Sequence, residues 1–174
     1  QARVRQQAAV VQVGQCALGL DDLPALMDEA CVVVAETLGV EYCKVLELLP
    51  DGNNLLLRAG FGWKEGLVGQ EKVSAGTQSQ AGYSLLSNQP VIVEDLQTET
   101  RFIGPSLLRE HGVVSGMSVI IPGRDRPFGV LGAHTVKRRA FNKDDIHFLE
   151  SVANVLSEAI ERKKTEQALR ESEE

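Results

Sequence analysis

The 174 residues include only three cysteines, 5% aromatic residues, and 18 basic side chains against 24 acidic ones, a net charge of −6. That acid excess opposes sequence-independent attraction to nucleic acid or to an anionic lipid surface, so neither is an expected partner. A long hydrophobic run is also missing. The longest uncharged stretch, Val73 to Val93, is interrupted by Gln, Ser, Asn and Pro and cannot span a bilayer. No secretory signal opens the chain, and a cytoplasmic location is the expectation. Cys16, Cys31 and Cys43 lack the CxxC or Cys/His spacing of a metal site. They read as small buried hydrophobes, with a redox role as the alternative.

What is present is the apolar content of one globular domain, 43% of residues. Residues 1–20 have no proline and place Val4, Ala8, Val11 and Leu18 on a coiled-coil-like stripe, with Gln15 at one seam position. Asp21 and Asp22 are expected to cap a second helix with Pro24 in its first turn and Gly39 at its end. Short apolar runs over Glu41–Leu49 and Asn54–Ala59 flank Pro50-Asp-Gly-Asn53, a hairpin with turn chemistry in the middle. The Gly-rich segment from Phe61 to Ser79 has no clear period. A short helix over Gln80–Ser87, a brief strand at Val91–Val93 and a polar loop at Asp95–Thr100 follow. Another short helix then occupies Pro105–His111, and Val113–Ile121 and Phe128–Val136 form a second hairpin. A last helix begins after Asn142, with Asp144 and Asp145 at its positive end, and runs to the end of the chain. Its apolar face thins out after Ile160 into a polar but helix-favouring tail, which is expected to be a connector in a longer chain.

This order describes an α+β fold: an antiparallel central sheet with helices on both faces and long N- and C-terminal helices. Particular strings resemble the GAF sensory family over roughly residues 20 to 160. They are Val40-Glu-Tyr-Cys-Lys-Val45 after the Leu23–Gly39 helix, Gln89-Pro-Val-Ile-Val93, Ser118-Val-Ile-Ile-Pro122, Phe128-Gly-Val-Leu-Gly-Ala-His134 and Phe141-Asn-Lys-Asp-Asp145. The stretch from Leu107 to His134 is especially similar to phytochrome GAF domains. The ending from Glu161 to Glu174 resembles the linker leading into a PAS domain in bacterial sensor histidine kinases. The resemblance divides the chain into a helical linker at 1–20, a GAF domain at 21–160 and a signalling-helix linker at 161–174. It implies a small-molecule pocket on one face of the sheet and dimerising helices on the other.

The chemistries of the family can be checked one by one. Ile103 and Gly104 stand where bilin-binding relatives carry Cys-His, so covalent bilin attachment is not expected. Val136-Lys137 and Ile146 replace the Asn-Lys and Glu of cyclic-nucleotide-binding relatives, and cyclic nucleotide is not expected either. Lys137 and Asp145 remain candidates for an ion pair between the last strand and the last helix. Methionine-sulfoxide reductases of this fold use cysteines, but no Cys lies between Lys44 and Glu174, so catalysis is not expected. His111, His134 and His147 show no converging spacing, and neither metal nor haem is expected.

The resemblance places Tyr83, Phe102, Leu107, Leu108, His111, Ser115, Met117, Val119 and His134 near the pocket, with Asp95 and Arg101 as orienting charges. Sheet core is the alternative for Met117, Val119 and His134, and a solvated loop for Asp95 and Arg101. The resulting expectation is a regulatory GAF module of a bacterial signal-transduction protein, a sensor histidine kinase in the first instance. It would bind an unidentified small ligand and signal through a homodimer to downstream PAS and kinase domains in cis. A ligand-free relay, or a module of a diguanylate cyclase or phosphodiesterase, is the alternative.

Overall fold

The computed structural model describes residues 2–173. Two helices open the chain, α1 (Ala2–Gly19) and α2 (Leu23–Leu38). Pro24 is tolerated in the first turn of α2 because its missing N–H has no partner there. At the other end Gly39 adopts φ 69°, and the next N–H, of Val40, bonds back to Ala35 O at 3.0 Å. Asp22 occupies the N-cap of α2 without a side-chain bond, while the Asp21 carboxylate pairs with Lys163 at 3.1 Å.

Strands β1 (Tyr42–Leu48), β2 (Asn54–Phe61) and β3 (Lys72–Ser74) follow, then helix α3 (Gln80–Ser87) and strand β4 (Val91–Val93). A 3₁₀ turn at Leu96–Thr98 and helix α4 (Ser106–Glu110) lead to strands β5 (Ser115–Ile121) and β6 (Gly129–Thr135) and to helix α5 (Lys143–Glu173). The six strands form one antiparallel sheet in the order β3-β2-β1-β6-β5-β4, which puts β1 and β6 at its centre. Lys44 pairs with Gly132 across β1 and β6, and Gly116 pairs with His134 across β5 and β6.

Alternation divides the side chains of the central strands between two layers. Cys43, Val45, Met117, Val119, Leu131 and Ala133 pack with α1, α2 and α5 in the larger core. Leu46, Leu55, Leu57 and Val130 point the other way and pack with Val73, Ala81 and Leu107 beneath α3 and α4. The segment without clear period contains β3, which pairs Val73 with Leu55 at the edge of the sheet.

Helix α1 runs parallel to α5. Buried Gln6 donates from Nε2 to Asp145 Oδ1 at 2.8 Å near the start of both, and Arg162 donates to Ala17 O at 3.0 Å further along. Asp145 also accepts from the Asn142 N–H and lies 3.9 Å from Arg139, so it does not form the ion pair expected with Lys137. Lys137 instead donates its backbone N–H to Thr135 Oγ1. Helix α5 continues through Ile160 without a break, and no helix among the described residues is long and apolar enough to cross a membrane.

Candidate functional site

Two glycines leave an opening in the middle of the sheet, and His134 fills it. A β-carbon at Gly116 would lie 2.2 Å from His134 Nδ1, and one at Gly132 would lie 2.9 Å from Nε2. The imidazole therefore rests on backbone where any larger residue would displace it. It is completely buried, yet among the described residues neither ring nitrogen has a hydrogen-bond partner. Buried polar groups are nearly always paired, because leaving one unpaired costs about 1–3 kcal/mol. Burial, reinforced by the charge of Lys44, pushes the His134 pKa well below the usual histidine range, so the ring is neutral at pH 7.

Lys44 flanks the same point. Its Cε would lie 3.0 Å from a β-carbon at Gly132, and the residue is 1% exposed. Among the described residues no carboxylate pairs with it, and burial lowers its pKa from 10.5 to about 7. A cation this deep without a counterion is uncommon in a protein of ordinary stability.

An aromatic wall adjoins the pair. Trp63 stacks on Tyr42 with ring centroids 4.6 Å apart, and meets His111 and His134 edge-on at 5.0 Å and 6.3 Å. Its indole N–H donates to Cys43 O at 2.8 Å, a seat that exists because Gly60 has no side chain. His111 is fully engaged: its Nδ1 bonds to Leu107 O at 2.8 Å and its Nε2 accepts from the Lys64 N–H at 3.0 Å. That pattern requires the tautomer protonated at Nδ1. Helix α3 is held over the sheet by the Ser84 and Ser118 hydroxyls, 2.6 Å apart, and by Gln80 Nε2 donating to Val91 O.

Of the residues expected near a pocket, His134, His111 and Leu107 lie on this face, and Leu108 is buried close by in the chain. Tyr83, Phe102 and Arg101 make a separate cluster at the β4 edge, with the guanidinium 5.6 Å and 5.8 Å from the two ring centroids. Arg101 is already neutralised by Glu99 at 2.6 Å, which holds that carboxyl down to about 2. Asp95 caps the 3₁₀ turn by accepting from the Gln97 N–H at 3.0 Å. These two charges hold their own loop together and do not face His134.

Ser115, Met117 and Val119 do not belong with His134. Met117 and Val119 pack in the helix-side core, and the Ser115 hydroxyl donates to Glu94 O and accepts from the Arg139 N–H. Their neighbours Gly116 and Ser118 occupy the other face. Lys44, Tyr42, Trp63 and the two glycines were missed. The available signal was a lysine inside an apolar run that turns out to be a central strand.

Cys43 and Cys31 are buried on the opposite, helix-side face, so neither thiol adjoins His134. Among the described residues no group of three His, Cys, Asp or Glu side chains is placed to hold a metal. A separate cleft of about 630 Å³ lies between the β5–β6 turn and α5, lined by Arg124, Arg126, His147 and Glu150 among others.

A comparison with protein families matches residues 22–160 to the GAF domain. The chain belongs to the GAF family. Solved structures share its fold at low identity. The GAF domain of an Acinetobacter phosphoenolpyruvate-protein phosphotransferase is 20% identical, covers 94% of this chain and 97% of its own, and superposes with a TM-score of 0.80. Free methionine-R-sulfoxide reductase from Neisseria meningitidis, solved with its substrate, is 17% identical over 95% of this chain and 93% of its own, with a TM-score of 0.81. Residues 122 to 287 of a methyl-accepting chemotaxis protein are 18% identical over 90% of this chain and 99% of that one, with a TM-score of 0.77. No curated protein matches the chain. GAF domains are typically regulatory or sensory modules, and this one holds an unpaired imidazole and a buried lysine beneath α3 and α4.

Proposed function

We propose that this GAF domain is a non-catalytic sensor that binds a small molecule at His134 and passes the effect along paired helices. The observation that carries this reading is the imidazole buried over Gly116 and Gly132 with both nitrogens unpaired. A ligand supplying those hydrogen bonds would remove an existing penalty. Because His134 is sealed, a ligand can enter only if its cover shifts, and that requirement couples binding to conformation.

The outward route runs through α1 and α5. In the coiled-coil stripe, Val4, Val11 and Leu18 are 60%, 59% and 81% exposed and stand seven residues apart, with Ala8 and Gln15 exposed between them. Gln6, Ala9, Val13 and Ala17 on the other side of α1 are buried in the domain. An apolar heptad seam left free in one copy fits a second copy of the same helix. Beyond Ile160, α5 is mostly exposed, as expected of a connector to following domains. A ligand that favours one of two pairings would bias them by its difference in affinity. The proposed setting is a cytoplasmic bacterial signalling protein, a PAS-containing histidine kinase in the first instance.

Native mass spectrometry of the full 174-residue chain and of His134→Leu tests this reading. A dimer carrying an added small mass that His134→Leu loses is the expected result. A bare monomer at tens of micromolar that acquires no added mass from a cell metabolite extract would overturn it.

A further inference from the structure

The chemistry on the His134 face also indicates what kind of molecule it takes. Resting on the ligand-binding reading above, we propose that Lys44 and His134 together recognise the carboxylate of a small monocarboxylic acid whose apolar body lies against Trp63 and Tyr42.

Three observations support this. The two side chains flank one point above Gly132, where an added β-carbon would meet His134 Nε2 at 2.9 Å and Lys44 Cε at 3.0 Å. Both residues are buried, at 0% and 1% exposure; both His134 ring nitrogens lack a hydrogen-bond partner, and Lys44 forms no ion pair among the described residues. The surroundings are aromatic and aliphatic, with Trp63 stacked on Tyr42, and with Leu46 and Leu107 in the adjoining core.

A neutral imidazole offers one N–H donor, and an ammonium offers three. A carboxylate has two oxygens, one for each side chain, and its single negative charge matches the single buried cation. A phosphate dianion would bring a second charge with no second cation to meet it. A neutral ligand would satisfy the imidazole but leave the lysine uncompensated. Among the described residues the titratable groups around Lys44 are His134 on β6, Tyr42 and Cys43 on its own strand, and His111 just after α4, none of them a carboxylate. The facing residues of β5 and α3 are Gly116, Ser118, Ser84 and Gln80, which do not titrate. An incoming acid therefore meets no competing anion.

The charged amine is the form that binds, so binding takes up a proton above about pH 7. Affinity should fall by up to tenfold per pH unit from there.

The test uses the full chain, freed of any retained compound, with hexanoate, phenylacetate and indole-3-acetate, each against its own primary amide. Thermal shift reads binding, and the imidazole nitrogen resonances of His134 report its location. The expected result is that at least one acid binds and moves the His134 resonances, while its amide binds at least tenfold more weakly. Lys44→Met should weaken that acid at least tenfold while remaining folded by circular dichroism, and His134→Gln should weaken it as well. An amide that binds as well as its acid, or an acid that binds Lys44→Met as well as the parent, would overturn the carboxylate assignment and leave the sensor reading standing. If no acid binds, the assignment fails; if in addition native mass spectrometry finds no bound molecule of any charge, the sensor reading fails with it.

Discussion

Replacing Lys44 by Met should stabilise the protein, and by an amount that depends on pH. In the unfolded chain the amine keeps its proton up to about 10.5, whereas in the folded chain burial makes it give up that proton near 7. Between those values the unfolded state binds more protons, so the free energy of unfolding rises with pH. The slope approaches 1.4 kcal/mol per pH unit, or about 5 kcal/mol over the whole interval. Below pH 7 the parent carries the whole penalty, and above 10.5 it carries none. Methionine fills a similar volume with no charge to desolvate. Urea unfolding of ligand-free parent and Lys44→Met at pH 6, 7, 8 and 9, at one protein concentration, reads the effect most cleanly above pH 7, because every group except His134, whose pKa the Lys44 charge also lowers, is common to both. Lys44→Met should be several kcal/mol more stable at pH 6 and 7, with the gap narrowing steadily towards pH 9. A gap that does not change with pH, or a parent more stable than the variant at pH 7, would show that the amine is hydrated or paired and would refute the reasoning.

Other changes probe the rest of the site. Gly60→Ala would place a β-carbon 2.4 Å from Trp63 Cδ1, so it should unseat the indole, red-shift the emission of this single tryptophan and cost about 1–3 kcal/mol in urea unfolding. Val11→Lys together with Leu18→Lys should convert a sedimenting dimer to monomer, with the folded content seen by circular dichroism unchanged. A thiol reagent added without denaturant should label Cys16, which is partly exposed, well before the buried Cys31 and Cys43, as read by peptide mass spectrometry. Gln6→Leu removes a buried donor from Asp145 and should lower stability by about 1–2 kcal/mol, a loss that chemical unfolding can measure.

Much of the architecture was legible because it is locally encoded. The helix at Gln80–Ser87 has its Ser79 cap three residues before the Gly82 N–H that the Ser79 hydroxyl accepts, and both hairpins carry their turn residues in place. The Phe61–Ser79 segment was not legible because its order comes from distant partners: Trp63 is seated on Cys43 O, Lys64 on His111, and Val73 on Leu55.

The site was legible in part. His134 stood out as a polar residue in an apolar strand. On β5 the bulky Met117 and Val119 looked more like pocket lining than Gly116 and Ser118 did. Strand parity assigns these neighbours to opposite faces, and it is the small residues that make room for the imidazole. Lys44 resembles an ordinary solvent-facing strand lysine until the strand order shows β1 between β2 and β6, with the sheet covered on both faces.

The most direct measurement of the central claim is a crystal structure of the protein with the compound that it retains or that stabilises it. Density above Gly116 and Gly132, within hydrogen-bond distance of a His134 ring nitrogen and of Lys44 Nζ, is the predicted result. A compound seated instead in the cleft lined by Arg124 and His147, with the imidazole still unpaired, would contradict the account.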